Sequence, residues 1–129
     1  MNKLLIAAVL LAAAVPASAA NWCAIRTSEL MLNSKDANQR MIIFILVENK
    51  GKTPMDATKL QSVLSVNGKP YPNWPAVVAS GAEPAWRAIP AGGRLQFGVD
   101  ITTQLKAPGA YTLRMGGDCP SNEARVVTL

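Results

Sequence analysis

The sequence predicts an all-β protein built as an antiparallel β-sandwich of six to seven strands with one disulfide. Short apolar segments recur along the chain, and turn signals containing Gly, Pro or Asn separate them at intervals of roughly 8 to 12 residues. About 110 residues follow a predicted export signal, which is enough for one domain with a hydrophobic core. Together these features are typical of sandwiches of the immunoglobulin-like kind.

Seven consecutive apolar residues, 41–47, form the segment around which the other strands are expected to pack. β-Branched and aromatic residues dominate it, so its length and composition indicate a buried strand rather than a helix. Alternation places one apolar set on each face: Met41, Ile43, Ile45 and Val47 on the first, and Ile42, Phe44 and Leu46 on the second. The second face therefore needs a cover. We favour the protein's own loops over a second copy in a homodimer or another partner.

The first 19 residues have the three parts of an export signal. A positive region ends at Lys3, an apolar stretch runs over residues 4–15, and Ala17-Ser18-Ala19 is a small-x-small cleavage site. The apolar stretch is short for a membrane span. Trp22 precedes Cys23 where a lipid anchor would need a small residue, so no lipid anchor is expected. We predict a signal peptide over 1–19 and a single periplasmic or secreted domain over 20–129.

Two cysteines, Cys23 and Cys119, lie near the two ends of this domain. In an oxidising compartment such a pair is expected to form a disulfide. Bridged cysteines have Cα atoms within about 7 Å of each other, so the first and last strands should be neighbours. A redox-active pair is not indicated because the chain contains no Cys-x-x-Cys.

The composition excludes several classes of function. The formal net charge of +5 is spread along the chain without a basic cluster, so nucleic-acid binding is not expected. The chain contains no histidine, which removes Ser-His-Asp and Cys-His catalysis and His-ligated metal centres. Its Asp residues are too scattered for a calcium loop, and its Met residues are explained by core packing. We therefore predict no enzyme, no cofactor and no metal site.

Apolar patterning and turn signals place the strands along the chain. Asn67-Gly68 is the strongest short-range hairpin signal and favours a strand before it over a competing helix. A short returning arm should follow over 69–71. Pro108-Gly109 marks another turn. The predicted strands, in chain order, are 23–33, 39–49, 59–66, 94–101, 110–115 and 124–129.

Regular patterning disappears between Pro70 and Gly93. Five prolines interrupt this segment, and we expect them to exclude both strand and helix. Loops of this length in a compact domain are usually functional or pack on the body as a cover. Clean alternation returns at Arg94, with Leu95, Phe97, Val99 and Ile101 predicted to point inward.

Residues 89–101, followed by Ala107-Pro108-Gly109-Ala110-Tyr111-Thr112-Leu113, combine a Pro-Gly turn, an alternating strand and Pro-Gly-x-Tyr-x-apolar. This sequence pattern resembles that of bacterial immunoglobulin-like domains. It is similar to the β-sandwich region preceding the catalytic domain of deuterolysin-type metallopeptidases. The His-Glu-x-x-His motif of those peptidases has no counterpart here. The resemblance therefore implies a fold, and a sandwich that can sit against a protease, but no peptidase activity.

The candidate binding residues are Tyr71, Trp74, Trp86 and Arg87 in the Pro-rich segment. Aromatic residues and Arg commonly anchor interfaces, although either Trp could instead fill space over the central strand. We predict an exported, non-enzymatic module that recognises another protein, as an inhibitor, immunity or adaptor protein, through this loop or an edge strand. The alternative is carbohydrate or peptidoglycan binding, with Tyr71, Trp74 and Trp86 as a stacking platform.

Overall fold

The computed structural model describes residues 21–59 and 61–129, so the predicted export signal lies outside the described residues. The strands form two sheets. The three-stranded sheet has the order β1 (Asn21–Thr27), β3 (Ile42–Asn49), β6 (Arg94–Asp100). The five-stranded sheet has the order β2 (Met31–Leu32), β8 (Glu123–Thr128), β7 (Gly109–Gly117), β4 (Ser62–Val66), β5 (Lys69–Pro70). The predicted all-β sandwich is confirmed, with β2 and β8 as a parallel pair.

The predicted central strand is β3, which pairs antiparallel with β1 on one side and β6 on the other. Its burial alternates strictly, as a strand with one face on the core requires. Met41, Ile43 and Ile45 are fully buried. They belong to one core cluster with inward side chains of the five-stranded sheet, among them Leu64, Leu113, Met115 and Val126.

The predicted first strand, 23–33, is in fact two strands in different sheets. β1 ends at Thr27, and the Ser28 N–H donates to the Ile42 carbonyl as the pairing with β3 ends. The chain then crosses to the five-stranded sheet, where β2 pairs parallel with β8. The loose apolar alternation of this stretch continues across the bend, so periodicity did not reveal the change of sheet.

The hairpin at Asn67-Gly68 is confirmed. Both residues have positive φ, 51° and 79°, as a two-residue turn matching the strand twist requires. A 3-10 helix over Ala57–Lys59 precedes β4, and β5 is the short returning arm. The Asn67 side chain also accepts from the Thr112 N–H at 2.8 Å, which fixes the turn to β7.

The prediction that prolines exclude a helix between Pro70 and Gly93 is wrong. Helix α1 spans Trp74–Ser80, and a 3-10 helix spans Pro84–Arg87. Each has a proline in its first turn, where the missing N–H would have no helical partner and the fixed φ suits a helix. The two helices close the open side of the sandwich, with α1 packed against β4 and Trp86 against Phe97 of β6.

The predicted disulfide joins Cys23 of β1 to Cys119 in the turn between β7 and β8, with Cα atoms 5.3 Å apart. It therefore ties the three-stranded sheet to the five-stranded sheet. The Cys23 N–H also donates to the Pro120 carbonyl at 3.2 Å. The expected proximity of the first and last strands is confirmed, because β1 contacts β8 across the two sheets. A disulfide of this kind is typical of proteins outside the cytoplasm.

Gly117→Ala should lower the free energy of unfolding by about 2 to 4 kcal/mol. Gly117 has a φ of 70°, and a Cβ there would overlap the Gln61 carbonyl oxygen. That carbonyl accepts from the Asp118 N–H at 2.9 Å, so it is not free to move away. Gly92→Ala is the matched control, because φ is similar, 76°, and the space is open. Urea unfolding of both variants measures the difference, and equal losses would contradict the steric explanation.

Candidate functional site

The aromatic rings predicted to bind a ligand are buried. Tyr71, Trp74 and Trp86 are 8%, 1% and 3% exposed. Tyr71 and Trp74 meet edge to face at 5.6 Å, and Trp86 lies on Phe97 with centroids 4.6 Å apart. The Trp74 indole N–H donates to the Ser62 hydroxyl at 3.3 Å. These rings therefore fill the open side of the sandwich and do not form the exposed platform that the glycan alternative requires.

Of the four predicted binding residues, the structure brings Trp74 and Arg87 together on one open cleft of about 590 Å³ between α1 and the start of β4. Arg87 is exposed, and Thr58, Gln61 and Ser62 supply polar groups to the same walls. Tyr71 lines a different, shallower depression. The cleft could offer hydrogen bonds to a small polar ligand, but not an aromatic face, because the Trp74 ring is covered.

The outer face of β3 is not covered by the long Pro-rich segment, contrary to our favoured expectation. Ile42, Phe44 and Leu46 are half-buried. Their cover comes in part from a side chain of the adjacent strand: the Arg26 guanidinium carbon of β1 lies 4.4 Å from the centre of the Phe44 ring. The aliphatic part of such a side chain can shield apolar surface while its charge stays in water. The apolar outer row therefore does not by itself require a partner.

Two of the sheet edges are occupied by side chains of the same protein. Along β1, the Asn122 amide receives the Ile25 N–H at 2.9 Å and donates to the Ile25 carbonyl at 3.0 Å. Along β2, the Gln39 side-chain amide accepts from the Asn33 N–H at 2.6 Å and donates to the Met31 carbonyl at 3.1 Å. Each amide takes the place of a neighbouring strand, which prevents further pairing there.

The free edge of β6 has no such protection. The odd-numbered residues of β6 and its flanks form the hydrogen bonds with β3. The Ile101 N–H donates to the Met41 carbonyl at 2.9 Å, and the Gly93 carbonyl accepts from the Asn49 N–H at 3.0 Å. In an antiparallel ladder the alternate residues then direct their N–H and C=O groups away from the partner strand. These residues are Arg94, Gln96, Gly98 and Asp100. No residue within 21–59 or 61–129 hydrogen-bonds to these outward backbone groups.

Charged residues stand at both ends of this edge. Arg94 lies across from Glu48, with Nε 3.5 Å from a carboxylate oxygen. Asp100 accepts from the Thr102 N–H at 2.9 Å and from its hydroxyl at 2.6 Å. Partial burial raises the pKa of Asp100, but these hydrogen bonds and the nearby Arg40 outweigh it, so the pKa lies below its usual value. Asp100 therefore remains a fixed negative charge at neutral pH.

The polar network behind Asp100 holds the end of β6 in place. The buried Thr102 hydroxyl, which donates to Asp100, accepts from the Met41 N–H at 2.8 Å at the start of β3. The carboxylate thus has one oxygen fixed by Thr102, while the other lies 4.0 Å from Arg40 on the outer side.

A small apolar patch lies on the five-stranded sheet, at β2 and the residue before it, β8 and the C-terminal residue. Its members are Leu30, Met31, Val127 and Leu129, which are 75%, 52%, 39% and 57% exposed. Met31 and Val127 are directly opposite each other in the ladder. The adjacent backbone is already paired, so this surface offers contact area without free main-chain groups.

Comparison with known proteins identifies the fold. No family model and no curated protein sequence matches the chain. The fold is similar to that of a CARDB domain. The solution NMR structure of the CARDB domain of PF1109 from Pyrococcus furiosus matches with a TM-score of 0.56 and 14% identity, covering 85% of this chain and 94% of that one. The crystal structure of that domain in complex with di-metal ions has the same TM-score and identity, covering 84% and 91%.

At this level of identity the similarity shows the fold alone. Within residues 21–59 and 61–129, no three His, Cys, Asp or Glu side chains are grouped so that they could hold a metal ion. The described part of the chain also has no helix long and apolar enough to cross a membrane.

Sequence reasoning named an edge strand as one route to a partner, but it did not identify β6 as that strand. The signal present in the sequence was Gly98, a glycine in the middle of an otherwise regular alternation. Such a glycine often marks a close approach of another group. Here the group that approaches Gly98 is the Phe44 ring. A Cβ at position 98 would be 3.4 Å from that ring.

Proposed function

We propose that this chain is an exported, non-enzymatic binding module that recognises another protein by adding an extended segment of it to the free edge of β6. The observation that carries the proposal is the row of outward N–H and C=O groups from Arg94 to Asp100, which have no partner in the described chain. Strand addition uses such groups for affinity, while the alternate side chains supply specificity. An inhibitor, an immunity protein or an adaptor could use contact of this kind.

Two features support export to the periplasm or the extracellular medium. Residues 1–19 have the pattern of a signal peptide, and the Cys23–Cys119 disulfide suits an oxidising compartment. The resemblance of residues 89–101 and 107–113 to the sandwich region that precedes deuterolysin-type catalytic domains favours a peptidase as the class of partner. The absence of histidine from the whole chain favours a non-catalytic role.

Photo-crosslinking tests the proposed edge directly. A benzophenone amino acid at Gln96 should form adducts with another polypeptide in cells that export the protein, because position 96 lies at the middle of the free edge. The same group at Arg125, exposed on the opposite sheet, is the control and should form few adducts. Mass spectrometry of the adduct identifies the partner. Equal yields at both positions, or none at 96, would refute the assignment of the edge.

The glycan alternative retains the cleft beside Arg87 but loses its aromatic platform. Titration calorimetry with soluble peptidoglycan fragments should therefore give no saturable heat. A saturable signal that Arg87→Ala abolishes, while Arg125→Ala does not, would favour carbohydrate binding over the protein-binding proposal.

A further inference from the structure

We infer that a second copy of this chain can occupy the edge, with the two β6 strands paired antiparallel about Phe97. This inference rests on the edge of the proposed function and concerns the protein when no other polypeptide occupies that edge. In that register residue 96 of one copy is opposite residue 98 of the other, and residue 94 is opposite residue 100. A two-fold axis through the middle of the strand relates the copies, as in most homodimers.

The backbone parity of β6 allows this register. Residues 94, 96, 98 and 100 all direct their backbone groups outward, and the register pairs them only with one another. Each such pair exchanges two hydrogen bonds, so the interface would contain about eight. Antiparallel registers that keep this parity but are shifted along the strand would pair fewer of these residues. The two three-stranded sheets would then form one six-stranded sheet.

The charges at the ends of the strand favour the same arrangement. Arg94 has a side chain 68% exposed, and that of Asp100 is 46% exposed. Antiparallel pairing about Phe97 places Arg94 opposite Asp100 twice, once at each end. Parallel pairing in register would instead place Arg94 beside Arg94 and Asp100 beside Asp100, and like charges directly opposite are destabilising. Opposite charges at equal distances from Phe97 therefore make this strand complementary to itself.

The end of α1 and the outer row of β3 border the edge of β6. A groove of about 240 Å³ separates the end of α1, at Ser80 and Gly81, from Gly98 and Val99 of β6. On the outer face Gly98 has no side chain, and Ile42 and Phe44 lie over it: a Cβ there would be 3.1 Å from Ile42 Cγ2 and 3.4 Å from the Phe44 ring.

Sedimentation equilibrium of the purified, oxidised protein tests the inference. The wild type should form dimers, and Arg94→Glu should weaken them at least about tenfold, because Glu would face Asp100 of the other copy. Arg114→Glu is the matched control: Arg114 also lies across from a Glu in its ladder, with Nη2 2.9 Å from Glu123, but on the other sheet. The control should change dimerisation less than twofold.

A second pair of variants separates the backbone contribution from folding. Gln96→Pro removes an N–H that points away from β3, so the internal ladder stays intact while the dimer should be lost. Gln96→Thr keeps that N–H and should dimerise normally. Circular dichroism and thermal melting establish that both variants are folded, so loss of the dimer in folded Gln96→Pro supports the inference. A folded Gln96→Pro variant that dimerises like the wild type would overturn it.

The register can be measured with a spin label at Gln96→Cys, where the two label-bearing Cα atoms should be roughly 8 to 9 Å apart. Strong dipolar broadening is expected. A monomer at all concentrations would overturn the inference, yet adducts with a different polypeptide at position 96 would leave the proposed function standing. A dimer disrupted by Leu30→Ser with Val127→Thr, but not by Gln96→Pro, would place self-association on the apolar patch and also overturn it.

Discussion

The Cys23→Ala/Cys119→Ala double variant should lose up to roughly 4 to 5 kcal/mol of its free energy of unfolding. The two cysteines are separated by 96 residues, so the disulfide closes nearly the whole described domain and strongly limits the unfolded chain. It also joins the two sheets at the end where β1 meets the β7–β8 turn. Urea unfolding at neutral pH measures the loss.

The reduced wild type supplies the control for this prediction. Dithiothreitol should lower the stability of the wild type toward that of the double variant and leave the variant unchanged. Both cysteines are buried, so part of the stability lost in the double variant comes from lost packing of the two side chains. This part should appear as the difference in stability between the reduced wild type and the double variant. A variant less than about 1 kcal/mol below the oxidised wild type would show that the hydrogen bonds of the Cys23 N–H and of the Asn122 side-chain amide hold the sheets together without the covalent bond.

The second large effect is expected for Trp74→Ala, which should cost about 3 to 5 kcal/mol. The ring is 1% exposed and closes the open side of the sandwich between α1 and β4. Its removal would leave a large cavity beside Tyr71, with which it makes an edge-to-face contact. Thermal and urea unfolding of the variant give the magnitude.

Ser62→Ala separates ring packing from hydrogen bonding at the same place. The Ser62 hydroxyl accepts the Trp74 indole N–H, so this variant loses the bond but keeps the ring, and about 1 kcal/mol is expected. If Trp74→Ala instead unfolded like the wild type, the ring would not be part of the core. It would then be available to a ligand, as the stacking-platform alternative supposes.

The treatment of the sheet edges bears on the proposed function. An unpaired edge invites association with other chains, and this protein blocks β1 with Asn122 and β2 with Gln39. The same device is absent along β6 within the described residues. β6 does carry a charge at each end, Arg94 and Asp100, which limits the segments that can pair with it. Selective pairing requires both an open backbone and such a restriction.

Several elements could be predicted because their signals are local. The seven apolar residues at 41–47 indicated a central strand, and β3 does lie between two strands with its inner face buried. Its outer face, which the apolar pattern predicted to be covered as well, is only half-buried. Asn67-Gly68 indicated a hairpin because only residues that tolerate positive φ suit that turn. The inward set of β6 followed from strict alternation, and its predicted inward residues are indeed more buried than their neighbours.

Other elements depended on contacts between distant parts of the chain. α1 was missed because its prolines were interpreted without their positions in the first turn, and its seven residues are stabilised by packing on β4. The division of 23–33 into β1 and β2 depends on β8, about a hundred residues later. The aromatic residues of the predicted site do not form one set: Tyr71 contacts Trp74, whereas Trp86 packs on Phe97. Only the packed structure shows that all three rings are buried.

The sequence by itself determined which residues of β6 face inward, where one hairpin turns and which two cysteines could be joined. These properties follow from side-chain alternation, backbone conformational preference and compartment chemistry, which act over a few residues or on a single pair. Only the tertiary structure decided that β6 is an open edge, that Gln39 and Asn122 close two others, and that Trp74 and Trp86 are buried. An edge is defined by the strand that is missing beside it, and that depends on how the whole chain pairs.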